Sequence, residues 1–218
     1  MPHYSISGRF AVESCVAAIT LLIFSPLLLV VGLAVFLESG LPILFLQTRV
    51  GRNGHLFRLV KIRTMRSRAR GSGITVSGDP RVTRVGRVLR KFKLDELPQL
   101  WNVVRGQMGL VGPRPEVPEF VDLTQPVWRS VLRVRPGITD PVSIAYREEE
   151  NLLATANDAV RFYKESVLPD KLARTLCYLE NRSAWRDLLV IAQTIRCAAF
   201  PQQFESKRAE VARLGDPR

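Results

Sequence analysis

The chain has 218 residues, 46% of them hydrophobic, with a formal net charge of +12 and a pI near 10.5. Its length suits one compact domain with an appendage, its apolar content is enough to bury a core, and its charge points to polyanionic partners: nucleic acid, anionic lipid headgroups or phosphorylated substrates. Three cysteines, Cys15, Cys177 and Cys197, are odd in number and widely spaced, which excludes both a disulfide framework and a zinc site and fits thiols that stay reduced.

The first predicted element is the run FAVESCVAAITLLIFSPLLLVVGLAVFL at positions 10–37, interrupted only by Glu13 and small polar residues. About 20 apolar residues cross a bilayer as a helix, so the run is long enough. It is too long for a cleaved signal peptide, and no small-x-small pattern follows it. A spanning anchor and a re-entrant helix that leaves on the side it entered both remain. Ser25-Pro26 sits near the middle, where the proline removes a donor and a neighbouring serine hydroxyl can satisfy a freed carbonyl. The apolar pattern by itself favours spanning. Arg9 before the run and Arg49, Arg52, Arg58, Lys61 and Arg63 after it are compatible with both ends lying in the cytoplasm.

Beyond Leu41-Pro42, residues 43–47 and 56–62 read as two short strands joined by a turn-rich segment. Residues 65–81 read as a mobile polar loop. From Val82 an amphipathic helix follows, with Val85, Val88, Leu89 and Phe92 on one face and Arg81, Arg84, Arg87, Arg90 and Lys91 making the other basic. Asp95 is expected to cap the next helix, with Pro98 in its first turn and its end at Gly106. GLVGPRPEVPEF reads as a rigid proline-rich turn, a further helix is expected near Glu119, and RPGITDPVSIAYR as partly extended. Two long helical patterns cover about 158–180 and 184–200, the last apolar enough to pack on a core or lie in a membrane interface. The tail from 201 is charged and expected to fray.

Chemistry concentrates at KLDELPQLWNVVRGQMGLVGPRPEVP, positions 93–118. An Asp-Glu pair at a helix start is commonly a cap, because both charges favour the positive end of the dipole. Its neighbours argue for more. Arg90, Lys91 and Lys93 would draw in anions, and Arg114 is held between Pro113 and Pro115, so its planar fork is presented with little entropy to lose. The two carboxylates can converge on one ligand only at an irregular helix start. There one can bind a divalent cation while the other attacks phosphorus. Histidine is nearly excluded as the catalyst, because only His3 and His55 exist, and no P-loop, GxGxxG or HExxH pattern is present.

KIRTMRSRA (61–69), GRVLRKFKLDELPQLWNVVRGQMGLVGPRPEVPEF (86–120) and RPGIT (135–139) resemble the bacterial sugar transferases, and more narrowly the small monotopic polyprenyl-phosphate phosphoglycosyl transferases. The resemblance covers nearly the whole chain and implies an α/β fold, mostly helical with a few short strands. It implies a re-entrant membrane helix kinked at Ser25-Pro26 and interfacial amphipathic helices. The expected divisions are a membrane segment at 1–40, a cytoplasmic catalytic domain at 41–200 and a tail at 201–218. The implied reaction is ping-pong. Asp95 attacks the sugar-bearing phosphate of a UDP-sugar and releases UMP, then hands the phosphosugar to polyprenyl phosphate, with undecaprenyl phosphate the expected acceptor.

Glu96, with Asp95, would hold Mg2+. Lys61, Arg63, Arg90 and Arg114 would bind substrate, with Pro113 and Pro115 shaping the loop. The implied setting is the cytoplasmic face of a bacterial inner membrane, with phospholipid partners, no nucleic acid, and room for a homo-oligomer. Ile62 and Thr64 stand where Phe and Ser are more usual. Asp140-Pro141 replaces the commoner Gly-x-Ala-Gln-Val continuation after RPGIT, so sugar specificity is not carried across. Two other classes fit the sequence less well: a catalytically silent membrane scaffold, and a membrane-anchored nucleic-acid-binding protein, for which the basic residues are not interleaved with aromatics.

Overall fold

A computed structural model describes residues 6–66 and 74–201. Positions 67–73 of the expected polar loop, His3 and the tail from 202 lie outside the described residues. The architecture is mostly helical with a few short strands. Helix α1 (Ile6–Ser39) is the one helix among the described residues long and apolar enough to span or anchor in a membrane. At about 1.5 Å per residue its 34 residues extend roughly 50 Å. Pro26 lies inside it, and the serine expected to repair the break does so: Ser25 Oγ donates at 2.8 Å to Leu22 O, the carbonyl four residues before the proline.

Both ends of α1 are tied to the rest of the chain. Near its start, Arg9 pairs with Glu13 (2.9 Å) and with Asp187, and Glu13, an acid buried within an apolar helix, also faces Arg135 (3.7 Å). Ser14 Oγ donates to Val103 O at 3.3 Å. At its end the Arg63 guanidinium donates to Ser39 O (2.8 Å), Ser39 Oγ (2.7 Å) and Gly40 O (2.6 Å), so a side chain satisfies carbonyls that a helix terminus leaves open. Between the ends Ala17, Val31 and Val35 are buried, while Leu22 and Leu29 on the opposite face are 75% and 76% exposed.

Strands β1 (Leu44–Val50) and β2 (Leu56–Ile62) form an antiparallel hairpin, with Leu44 opposite Ile62 and Val50 opposite Leu56. A 3₁₀ turn at Arg52–Gly54 closes it, with Asn53 and Gly54 at positive φ. Helix α2 (Arg84–Lys91) is the expected basic amphipathic element. Thr83 Oγ1 caps it by accepting from Gly86 N (2.9 Å), and Glu38 of α1 accepts from the amides of Arg84 (2.7 Å) and Val85 (2.9 Å).

Two expectations change next. Asp95 is not a helix cap: Lys93, at φ 58°, opens a 3₁₀ turn at Leu94–Glu96, and helix α3 (Gln99–Val104) starts after it with Pro98 at its N-cap. The left-handed lysine breaks the helical path between α2 and α3, so both acids fall inside the short turn. Gly109–Val111 is strand β3 rather than part of a turn, and it pairs in parallel with β4 (Gly137–Thr139), Gly109 opposite Gly137.

Helix α4 (Pro126–Val131) precedes β4, and α5 (Pro141–Ala145) follows it. Asp140 caps α5 by accepting from Val142 N and Ser143 N, and Pro141 sits where a missing N–H costs nothing, which accounts for the Asp-Pro sequence. Helices α6 (Glu149–Ala154), α7 (Ala159–Phe162), α8 (Leu168–Glu180) and α9 (Ala184–Ala199) complete the described chain, with a π-turn at Tyr163–Val167 joining α7 to α8. On α9, Asp187, Val190 and Cys197 are buried, whereas Trp185, Leu188 and Ile195 are exposed.

Two apolar clusters draw on α1. Ala17 packs with Phe57, Leu59, Leu100, Val103 and Met108, and Val31 and Val35 pack with Ile62 and Leu89. The third centres on Trp128, Leu153 and Tyr163. Helix α2 reaches the backbone after β2 only because Gly86 has no side chain: a Cβ there would lie 2.2 Å from Thr64 O.

Gly86→Ala is therefore expected to destabilise the chain by about 1–3 kcal/mol or more, read as a lower thermal midpoint in detergent. Gly32→Ala in α1, whose Cβ would meet Ile43 at an ordinary 3.6 Å, should leave the midpoint unchanged or raise it. Equal midpoints for the two variants would contradict this packing.

Candidate active site

Two parts of the chain converge on the acid pair. On β2, alternation puts Lys61 on the same face as the buried Phe57 and Leu59, so its amine continues an apolar face to the turn at Leu94–Glu96. From the loop after β3 comes Arg114. Its flanking carbonyls are fixed: Pro113 O accepts from Gly137 N (3.0 Å) and Pro115 O from the Arg49 guanidinium (3.0 Å). Both cations meet at one oxygen, as Glu96 Oε1 accepts from Lys61 Nζ at 2.9 Å and from Arg114 Nη2 at 2.8 Å.

The adjacent carboxylate is treated differently. Asp95 and Glu96 are both buried, at 7% and 9% exposure, yet Asp95 Oδ1 has no hydrogen-bond partner. Burial is the main influence raising the Asp95 pKa above the usual aspartate value; Lys61 opposes it and Glu96 adds to it. Burial also pushes Glu96 up, but the charges of Arg114 and Lys61 outweigh it and hold Glu96 well below the usual range. Burial lowers the Lys61 pKa, with Glu96 opposing. Glu96 raises that of Arg114. One turn thus carries a fixed anion and, beside it, a carboxyl group poised to titrate.

The remaining expected residues take separate places. Arg90 lies close enough for its charge to favour the Asp95 anion, while its guanidinium contacts Thr64 Oγ1 (2.9 Å) and Glu150 (2.7 Å). Arg63 closes the end of α1, donating to Ser39 O and Gly40 O. Ser25 and Pro26 are on α1. His55 is exposed beside the hairpin turn.

A supporting set escaped the sequence reading. Tyr163 donates to Glu116 Oε1 (2.5 Å), Arg49 faces Glu116 (3.7 Å), and the buried Lys171 pairs with Glu149 (2.8 Å) beneath the rings of Tyr146 and Tyr163. These groups brace the Arg114 loop from behind. Glu116, two residues from Arg114, was the one available signal, because Lys171 sits in an unremarkable helical pattern.

Among the described residues no cluster of three or more His, Cys, Asp or Glu side chains could hold a metal. The donor set nonetheless fits Mg2+, which needs hard oxygens and is commonly held by one or two carboxylates together with substrate phosphates. The unpartnered Asp95 Oδ1, next to Glu96, supplies that kind of donor.

The family model for bacterial sugar transferases matches residues 5–200. A UDP-N-acetylgalactosamine-undecaprenyl-phosphate N-acetylgalactosaminephosphotransferase of Aeromonas hydrophila is 38% identical over 89% of this chain and 44% of its own length. A UDP-glucose:undecaprenyl-phosphate glucose-1-phosphate transferase of Caulobacter vibrioides is 37% identical over 89% of this chain and 71% of its own. A protein of the same description from Escherichia coli is 36% identical over 85% of this chain and 39% of its own. The chain thus spans less than half the length of two of these relatives.

Glu96→Gln removes the anion that two largely buried cations share. It is expected to destabilise the chain by about 2–3 kcal/mol, the lower end for a broken buried pair because Arg114 is about a third exposed. Chemical denaturation checks this, and an unchanged midpoint would show that the clamp contributes nothing.

Proposed function

The chain belongs to the bacterial sugar transferase family, and from that premise we propose that it is a phosphoglycosyl transferase. It moves a sugar 1-phosphate from a UDP-sugar to a polyprenyl phosphate, undecaprenyl phosphate by the names of its relatives. The observation that carries this reading is the division of the acid pair: Glu96 held as an anion by Lys61 and Arg114, and Asp95 buried with an open oxygen beside it.

In the first half-reaction an Asp95 carboxylate oxygen attacks the sugar-bearing phosphorus. A bond forms between that oxygen and phosphorus, the bond from phosphorus to the bridging oxygen breaks, and UMP departs with the electron pair. In the second, a phosphate oxygen of the polyprenyl phosphate attacks the same phosphorus and the Asp95 carboxylate is released. Burial removes water that would compete for the acyl phosphate and leaves the carboxylate poorly solvated, hence reactive. Glu96 keeps Lys61 and Arg114 in place, and Arg114, a third exposed, presents the rest of its fork to the phosphates. Bound Mg2+, held by Glu96 and by the Asp95 oxygen that does not attack phosphorus, would neutralise the diphosphate.

The acceptor lies in a bilayer, and α1 supplies the means of reaching it. Its two ends join the same domain, through Arg9 and Asp187 at the start and through Arg63 at the finish. A helix so attached at both ends fits a re-entrant path, bent at Ser25-Pro26 and lying on the cytoplasmic face of the inner membrane, better than a perpendicular span. The exposed apolar side chains of α9 and the basic face of α2 fit an interfacial position beside it.

Purified chain given a UDP-sugar alone should release a burst of UMP and gain the mass of a hexose or N-acetylhexosamine phosphate on Asp95, whereas Asp95→Asn should do neither. Product formation by the Asp95→Asn variant at near the normal rate would sink the covalent scheme. The acid side of the rate profile offers a second check. Asp95 must be ionised to attack, and its raised pKa moves that limb to higher pH than the ordinary aspartate value of about 3.9. Glu96, depressed, stays charged throughout that range. A limb at or below the ordinary value would contradict the assignment.

A further inference from the structure

Gln99, the first residue of α3, is 2% exposed, and its side-chain Nε2 is buried with no hydrogen-bond partner. Four residues earlier, Asp95 Oδ1 is buried without one as well. Leu97 and Pro98 between them have helical backbone angles, so the two unpartnered atoms belong to one short, continuous stretch of chain that carries the acid pair. A buried donor or acceptor left unsatisfied is costly to fold around. Here one of each sits within a turn, and they do not bond to one another.

The two needs are complementary. The carboxylate oxygen lacks an electrophile, and the amide lacks an acceptor. A phosphoryl group bonded to Asp95 meets both, since phosphorus takes the carboxylate oxygen and a non-bridging phosphoryl oxygen accepts the N–H. A neutral amide also suits the position better than a cation, which would pair with Asp95 at rest and occupy the attacking oxygen. We infer that Gln99 is a catalytic residue of the phosphoryl transfer, donating a hydrogen bond to a non-bridging oxygen of the group carried on Asp95 and in the transition states on either side of it. The amide keeps its proton throughout. The inference rests on the reaction proposed above, with Asp95 as the carrier.

The test uses the full chain in detergent with a panel of UDP-hexoses and UDP-N-acetylhexosamines, with and without undecaprenyl phosphate. Gln99→Leu has a similar volume and no donor. It should lower kcat by about 10²-fold, the loss typical of removing one donor to a developing oxyanion. KM for the UDP-sugar should stay within about threefold of the wild type, since the contact belongs to the transition state. Both the UMP burst and the discharge of the adduct should slow, because the same phosphoryl oxygen is held in each. The melting temperature should hold or rise, because an unsatisfied donor has been removed. Gln99→Asn, which keeps an amide one methylene shorter, should recover part of the rate.

A wild-type rate for Gln99→Leu, alongside an active parent, would overturn the Gln99 assignment and leave the reaction standing. So would a rate loss accompanied by a lower melting temperature and no recovery in Gln99→Asn, which is the pattern of a packing role. A parent that releases no UMP from any donor and forms no adduct would overturn the proposed reaction, and the Gln99 assignment with it.

Discussion

One carboxylate oxygen holds the site together. Glu96 Oε1 receives Lys61 from the hairpin and Arg114 from the loop after β3, elements far apart in sequence. A buried anion shared by two cations has a single low-energy arrangement, and removing any member leaves charge without compensation. The clamp therefore fixes the hairpin, the turn at Leu94–Glu96 and the Arg114 loop relative to one another. It also fixes the electrostatics, because two positive charges spent on Glu96 leave Asp95 to the effect of burial.

The same logic of satisfied polar groups governs α1. A helix in contact with lipid must have its terminal carbonyls and any acidic side chain accounted for, since no water is there to do it. Arg63 closes the carbonyl end, Glu13 lies between Arg9 and Arg135, and Ser25 repairs the gap at Pro26. Ala17, Val31 and Val35 then place the helix in the clusters that support β2 and α3, the elements flanking the dyad. The most apolar part of the sequence and its most charged part are thus mechanically one unit, which holds the site at a fixed distance from whatever surface α1 meets.

What could be read beforehand depended on the range of the interactions. The hairpin was legible because strands of seven residues and the GRNGH turn are local signals, and α2 because its apolar spacing repeats over a full helix. The β3–β4 pair was not, since three-residue strands carry no period and their parallel pairing is decided by contacts across an intervening helix. The placement of Asp95 turned on Lys93 adopting a left-handed conformation, for which a lysine gives no sign. The chemical types at the site, an acid pair with arginines near it, were visible at once. That Lys61 and Arg114 both serve Glu96, while Arg63 serves the end of α1, is a matter of tertiary geometry.

The buried carboxylates of the chain show why Asp95, and not merely an acid in a basic protein, is the reactive candidate. Glu13 and Asp187 meet arginines, Asp79 meets Arg81, and Asp140 accepts from the amides that open α5. Glu96 has its two cations. Each of these has local hydrogen-bond or charge partners. Asp95 is the one buried carboxylate among the described residues with an oxygen that is both fully buried and without a hydrogen bond. Folding would have been easier with that oxygen bonded or exposed. Such an uncompensated group fits a site whose missing partner arrives with the substrate, and a single 3₁₀ turn suffices to keep it beside a neighbour of identical charge without the two sharing a fate.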